Sequence, residues 1–391
     1  MTRYRRKLIL VACLMLFLGT AEAGHAQETG EPVPPEVAAE AWAVTDIESG
    51  EFLAGEEAEE SLPTGSTSKM MTAITALEMV EAGEASLDTE VAISAEAAAF
   101  AVPAYSNAGL QTGDVLSVRE LLVATLVPSG NDAAHALAEH LGGGEGQRSV
   151  DRYVERMNEL AEELGLEETN FENVTGLDER RHRSSASDLA EMARVGFEYP
   201  LFREVVAMRY ATVSTPEREI SLATENDLLF AYPLATGVKT GTTPGAGSSL
   251  VASAASEDES YIAVALGSRV DRYADAVALL EHGFAAYERP TLIEEGERYA
   301  RAGVPYRRDE RVPLVASEDV EWIVDSASEV EREVSVMEEL PDSASRGDRL
   351  GEIALKVDGE RVGESPLVAA RGYEEAPIWR RAWHSVSELW R

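Results

Sequence analysis

Ser66-Thr67-Ser68-Lys69 places a hydroxyl three residues before an amine. A serine hydroxyl is a poor nucleophile until a base takes its proton. Lysine serves as that base only when uncharged, and both burial and a second nearby cation lower its pKa. Lys239, opening Lys239-Thr240-Gly241, is the candidate second cation. In Ser129-Gly130-Asn131, Ser129 can relay a proton from Lys69 toward a leaving amine, and Asn131 offers an amide to hold Lys69 and the substrate backbone. Thr240 can hydrogen-bond a substrate carboxylate, and Gly241 lets a strand edge approach the substrate. The backbone N–H groups of Ser66 and Thr242 would form an oxyanion hole. Each motif alone has a plainer reading: a helix cap at Ser66, a turn after Pro128, a solvated strand end at Lys239. Lysine usage favours chemistry. The chain has four lysines, Lys7, Lys69, Lys239 and Lys356, and uses arginine elsewhere. Arginine cannot release its proton at ordinary pH.

These residues need rigid carriers. Met70, Met71, Ile74, Leu77 and Val80 repeat at helical spacing, which puts Ser66 near a helix N-terminus with Lys69 one turn on, on the same face. Ala41–Thr45 and Glu51–Leu53 flank the turn-forming Glu48-Ser49-Gly50 and read as a β-hairpin. Residues 117–166 read as helices broken at Gly142-Gly143-Gly144. Leu234–Ala254 reads as two strands around a Gly-rich bend, Tyr261–Leu266 as a buried strand, and Ala274–Phe284 as a closing helix. From Thr291 to Arg371 short alternating runs, with a hairpin signal at Asp358-Gly359, indicate a small all-β domain.

The chain ends and composition narrow the setting. Arg3, Arg5, Arg6 and Lys7 precede an apolar run, Leu8–Leu18, too short to span a bilayer. Small-x-small sites at Ala21-Glu22-Ala23 and Gly24-His25-Ala26 then suggest a cleaved secretory signal. At the other end Trp379, Trp383, Val386 and Trp390 fall within roughly 60° of arc at about 100° per residue, opposite a basic face. That pattern suits a helix lying in a membrane interface. Cys13 is the only cysteine, so a mature chain has no disulfide. Asp and Glu total 71 against 34 Lys and Arg, a net charge of -37 that repels nucleic acid. With so little lysine, it also suggests adaptation to high salt, where self-repulsion is screened. The six histidines show no ligand spacing, and neither metal nor cofactor is expected.

The expected order is a signal peptide (1–26), a linker (27–37), a catalytic domain (38–290), an all-β domain (291–372) and an amphipathic helix (373–391). Beyond these elements, the three motifs fall in the order and approximate separations of the penicillin-recognising serine enzymes. Leu62–Ala73, Pro128–Ala134, Phe171–Leu177, Ser184–Ala190 and Gly237–Thr243 together resemble segments of the D-alanyl-D-alanine carboxypeptidases, the low-molecular-mass penicillin-binding proteins. The resemblance covers residues 40 to 288 well and the C-terminal parts more loosely. It implies an α+β, serine transpeptidase-like domain with a helix-flanked antiparallel sheet, then a β domain, then a tail on the periplasmic face of the inner membrane. It implies removal of the terminal D-alanine from peptidoglycan stem pentapeptides through an acyl-serine, with β-lactams as covalent inhibitors. It also implies that Arg272 lies near the substrate carboxylate. An endopeptidase acting on cross-links is the alternative. A class A β-lactamase needs a glutamate four residues before an asparagine, and Leu166 and Thr169 stand there instead. A non-catalytic envelope scaffold is disfavoured by the intact motifs.

Overall fold

The hairpin expected around residue 48 forms in the computed structural model, which describes residues 32–307 and 309–380. β1 (Ala41–Asp46) runs antiparallel to β2 (Phe52–Glu56). A 3-10 turn (Gly65–Ser68) leads directly into α1 (Lys69–Glu81). The paired strands β3 (Glu90–Ala92) and β4 (Val115–Ser117) bracket the short α2 (Ala95–Ala98). Then come α3 (Val118–Leu126), α4 (Asn131–Leu141), α5 (Gln147–Glu163), α6 (Ala186–Glu198) and α7 (Pro200–Val206). Local sequence fixes several of these ends. Ser117 and Glu120 form a reciprocal capping box that starts α3, Ser185 caps α6, and Pro200 opens α7.

A hairpin of β5 (Tyr210–Ser214) and β6 (Glu219–Ala223) and a single turn, α8 (Leu228–Ala231), precede the strands that matter most. These are β7 (Ala235–Thr243), β8 (Gly247–Ala255) and β9 (Ser260–Ser268), closed by α9 (Arg272–Ala286). The central sheet has the order β2-β1-β9-β8-β7, with every neighbour antiparallel. Both faces are covered, which explains the unbroken apolar run of β9. Ile262, Val264 and Leu266 pack into the core shared with α1 and α3–α7. Tyr261, Ala263 and Ala265 pack on the other side against Ala276, Leu279 and Leu280 of α9. Small residues on that side let α9 lie close: a Cβ on Gly283 would meet the Tyr261 ring at 3.0 Å. The α+β class and helix-flanked antiparallel sheet expected from the sequence are what the chain forms.

The remainder is all β. β10 (Tyr287–Glu288), β11 (Thr291–Ile293), β12 (Arg298–Gly303), β13 (Arg311–Ala316), β14 (Val320–Glu321), β15 (Val324–Asp325), β16 (Val330–Val336), β17 (Arg349–Val357) and β18 (Glu360–Ala369) follow in order. Five of them make a second sheet, β12-β13-β18-β17-β16, over a core including Val312, Leu314, Ile353, Leu355 and Leu367. The Asp358-Gly359 signal is a real turn: both residues have positive φ, 52° and 85°, the conformation a two-residue hairpin requires.

Several contacts bind this all-β part to the first part of the chain, among them the Tyr287 hydroxyl, which donates to Leu53 O at 2.6 Å. Ile323 packs into the same cluster as Leu279 and Leu280. The Arg289 guanidinium, 7% exposed, pairs with the Asp46 carboxylate, 1% exposed, at the end of β1. Removing one partner of a buried pair leaves an uncompensated charge. Arg289→Ala is therefore expected to cost about 3–5 kcal/mol in urea unfolding. A loss below about 1 kcal/mol would show the pair to be energetically neutral.

The β domain does not stop at residue 372. Tyr373 is buried in its core, exchanges backbone hydrogen bonds with Ala344 (2.8 and 3.0 Å) and donates its hydroxyl to Pro341 O at 2.8 Å. Tyr373, where the amphipathic helix is expected to begin, thus belongs to the β domain. Ile378 and Trp379 are 84% and 65% exposed. The rest of that stripe (Trp383, Val386, Trp390) and the signal peptide lie outside the described residues. Among the described residues, no helix is long and apolar enough to cross a membrane.

Candidate active site

Between Thr64 and Leu77 every side chain is buried except that of Ser66. The 3-10 turn presents this one hydroxyl outward and α1 carries Lys69 inward, where it is 0% exposed. Lys69 Nζ lies 2.9 Å from Ser66 Oγ and donates to Thr175 O at 2.6 Å. Full burial and the neighbouring Lys239 charge push the Lys69 pKa well below the ordinary lysine value. With one N–H committed to Thr175 O, an uncharged Lys69 can turn its lone pair on the Ser66 hydroxyl.

Lys239 lies on β7, 2% exposed, so it is not a solvated strand end. Its Nζ donates to Thr240 O at 3.1 Å. Burial lowers its pKa to about 8, helped by Arg272 and opposed by Glu225. Glu225 opposes the lowering at Lys69 as well, as does Asp132. That carboxylate, shared by both amines, was not evident from the sequence.

Close packing joins β7 to the nucleophile turn. A Cβ on Gly241 would fall 2.3 Å from Thr64 O and 3.0 Å from Thr67 Cγ2. The need for glycine there comes from the protein's own backbone, not from the approach of substrate expected of that position. Arg272 opens α9 and reaches the same strand. Its Nη1 donates to Thr242 Oγ1 at 2.7 Å and to Gly241 O at 3.0 Å. The residue carried over by resemblance thus borders Thr242.

The second motif sits at the start of α4. Ser129 is fully buried with φ +58°, a left-handed conformation uncommon outside glycine. Its Oγ takes no hydrogen-bond partner among the described residues, and neither does Asn131 Oδ1. The amide expected to hold Lys69 therefore makes no bond to it. Thr175 O takes that place.

The loop carrying Thr175 is shaped from within. Asn173 Oδ1 accepts from the N–H groups of Thr175, Gly176 and Leu177 at 3.1, 2.8 and 3.2 Å. Asp178 then ties the loop to the bend after β7, accepting from Thr243 Oγ1 and, at 2.8 Å, from Gly245 N. At the loop's far end His182 is buried, which lowers its pKa to about 4. Its Nδ1 accepts from Glu172 N at 3.1 Å, so the neutral ring donates from Nε2 to Ser68 Oγ at 2.7 Å. Ser68 Oγ in turn donates to Gly65 O at 3.0 Å, bracing the turn that holds Ser66. Among the positions tested for a lactamase glutamate, Leu166 is buried and Thr169 donates to Asp188 at 2.6 Å.

A partly exposed serine with a buried lysine in hydrogen-bond reach, on a helix-flanked antiparallel sheet, is the arrangement of a serine-type acyl-transferring hydrolase. Known proteins agree. The D-alanyl-D-alanine carboxypeptidase family model (peptidase family S11) matches residues 27–270, and the penicillin-binding protein 5 C-terminal domain matches residues 287–375. The chain is 30% identical over 371 residues to the D-alanyl-D-alanine carboxypeptidase DacF of Bacillus subtilis, covering 93% of each. It is 31% identical over 402 residues to DacC of Escherichia coli, covering 99% of this chain and 97% of that one. The crystal structure of penicillin-binding protein 5 from Haemophilus influenzae superposes with a TM-score of 0.68 at 28% identity, over 88% of this chain and 99% of that one. The chain belongs to the serine-type D-alanyl-D-alanine carboxypeptidases of family S11, penicillin-binding hydrolases of the cell wall.

Proposed function

We propose that Ser66 is the nucleophile, Lys69 its base and Ser129 the proton relay in removal of the terminal D-alanine from a peptidoglycan stem pentapeptide. The observation that carries this is the 2.9 Å contact between Lys69 Nζ and Ser66 Oγ in a setting that favours the uncharged amine. Ser66 Oγ attacks the carbonyl carbon of the penultimate residue while its proton passes to Lys69 Nζ. The carbonyl oxygen gains the negative charge and is met by the N–H groups of Ser66 and Thr242. Collapse breaks the C–N bond, and the proton returns through Ser129 to the departing D-alanine amine. Water then adds to the acyl-Ser66 carbonyl, giving up a proton to Lys69; collapse breaks the bond to Ser66 Oγ, which takes that proton back from Lys69, and the shortened peptide leaves. Lys239, Thr240 and Arg272 hold the terminal carboxylate, and Asn131 holds the substrate backbone. Gly241 keeps β7 against the turn. The test is intact mass after incubation with penicillin and with a D-Ala-D-Ala peptide. The expected results are an adduct mapping to Ser66 and free D-alanine. An adduct on any other residue would refute the assignment.

The two lysines give opposite pH limbs. Lys69 must be uncharged, so activity rises with pH through its lowered pKa. Lys239 must be charged to hold a carboxylate, so activity falls as pH rises through about 8. A bell-shaped kcat/KM profile is expected. Lys239→Arg keeps the charge at all working pH values and should remove the alkaline limb. An alkaline limb unchanged in that variant would assign it to another group.

Export and membrane attachment complete the reading: an enzyme at the outer face of the cytoplasmic membrane, held by its C-terminal helix. The basic stretch before Leu8–Leu18 and the exposed Ile378 and Trp379 support it. Ending the chain after Pro377 spares Tyr373, so it should release the protein from membranes with full soluble activity. Sedimentation with vesicles checks this, and continued pelleting of the shortened chain would place the anchor elsewhere.

A further inference from the structure

His135 and Glu139 stand one turn apart on α4, a spacing that puts both on one face. The histidines show no ligand spacing in the sequence, but the fold supplies a third group. Glu96 of α2 closes on this pair, so that one donor atom from each of the three residues lies within 4.8 Å of the others. His135 is 6% exposed, and its Nε2 takes no hydrogen-bond partner among the described residues. Its nearest carboxylate oxygen, Glu139 Oε1, is 3.7 Å away, beyond hydrogen-bond reach. A buried ring nitrogen left this way is costly unless something else meets it.

The surrounding bonds leave room for a ligand. Glu139 Oε2 accepts from Ser94 Oγ at 2.6 Å and Oε1 from Gly146 N at 2.9 Å. Each oxygen keeps a lone pair, because a carboxylate has about four acceptor sites. These bonds orient Glu139 in the way outer partners orient metal ligands. The Phe100 ring packs against the imidazole, its centroid 5.0 Å from that of His135. Glu96 is exposed, at the mouth of this group.

We propose that Glu96, His135 and Glu139 bind one divalent transition-metal ion of the zinc type. Tetrahedral ligands at about 2.0–2.1 Å from zinc are about 3.3 Å apart, so the 3.7 Å pair needs little adjustment. One imidazole with two carboxylates selects such a cation over calcium or magnesium, which prefer all-oxygen shells. The site is separate from Ser66 and Lys69 and does not depend on their roles. Its consequence is structural. The ion would pin α2 onto α4, one turn past Asn131. The intervening segment already meets α4 there: Asn131 N donates to Ser106 O at 2.9 Å and Ala108 N to Asp132 Oδ1 at 2.9 Å.

Cobalt(II) is the probe, because its visible absorption reports nitrogen and oxygen ligands directly and ignores the diffuse ion cloud of an acidic surface. The full chain, without a histidine tag and stripped with a chelator, is titrated with cobalt and then with zinc. The expected result is a band saturating at one equivalent, displaced by zinc, with a matching rise in melting temperature. Glu96→Gln and His135→Gln should each weaken it about tenfold or more. The absence of a saturable band, or its survival in either variant, overturns the three-residue site. Should His135→Gln fail to fold, Glu96→Gln, at an exposed position, decides the matter alone.

Discussion

Lys69→Arg is expected to lower both acylation by penicillin and D-alanine release by about 10²–10⁴-fold, the range a positioned general base contributes. The substitution keeps a long cationic side chain, so a role in charge alone would survive it. What it removes is the ability to be uncharged. Lys69 is fully buried beside Lys239, and both conditions favour the free amine. A guanidinium under the same pressure stays charged. The variant should approach Ser66→Ala in rate, because nucleophile and base act as a unit. Stopped-flow acylation together with thermal unfolding separates loss of chemistry from loss of fold. An acylation rate within a few-fold of wild type would remove Lys69 as the base.

Gly176→Ala should lower acylation by about 100-fold, the cost of misplacing reacting groups by about 1 Å. Gly176 has φ +84°, and a Cβ there would lie 2.0 Å from Gly65 O and 2.8 Å from Ser66 N. All of these neighbours are backbone atoms, so no rotamer change relieves the clash. Either the loop retreats and takes Thr175 O from Lys69, or the turn bearing Ser66 shifts. Gly83→Ala is the matched control. Its φ is +75° but nothing lies within 4 Å of its Cβ site. It should lose about 1 kcal/mol of stability through the left-handed conformation and keep its activity. Equal acylation rates in the two variants would mean that the approach of loop to turn does not set the geometry.

The fold was legible where side-chain pattern decides it. The helical repeat after Lys69, the buried run Tyr261–Leu266 and the turn at Asp358-Gly359 each produce the element their spacing predicts. The hairpin Tyr210–Ala223 went unread although β6 alternates, with Ile220 and Leu222 buried between exposed Glu219, Ser221 and Ala223: each strand is only five residues long, and β5 buries Val213 alone. At the site, the motif side chains could be named from sequence, but their supports could not. Thr175 contributes a carbonyl, and every residue has one, so no residue type marks it. Asp178 and His182 act by bridging segments far apart in the chain, and only the folded path of residues 171–182 brings them to Thr243 and Ser68. The expectation that Asn131 would hold Lys69 failed for the same reason: the chain's path had put a nearer acceptor there.

The scarcity of lysine has a practical side. Of the described amines, two are sequestered inside the site, and the third, Lys356 on β17, has 27% of its side chain exposed and rests on Glu333 at 2.8 Å. Amine-reactive dyes and coupling resins should therefore reach Lys356 in preference to the other two, which are buried. A surface prepared that way would grip the molecule by its all-β part, through an amine outside the site.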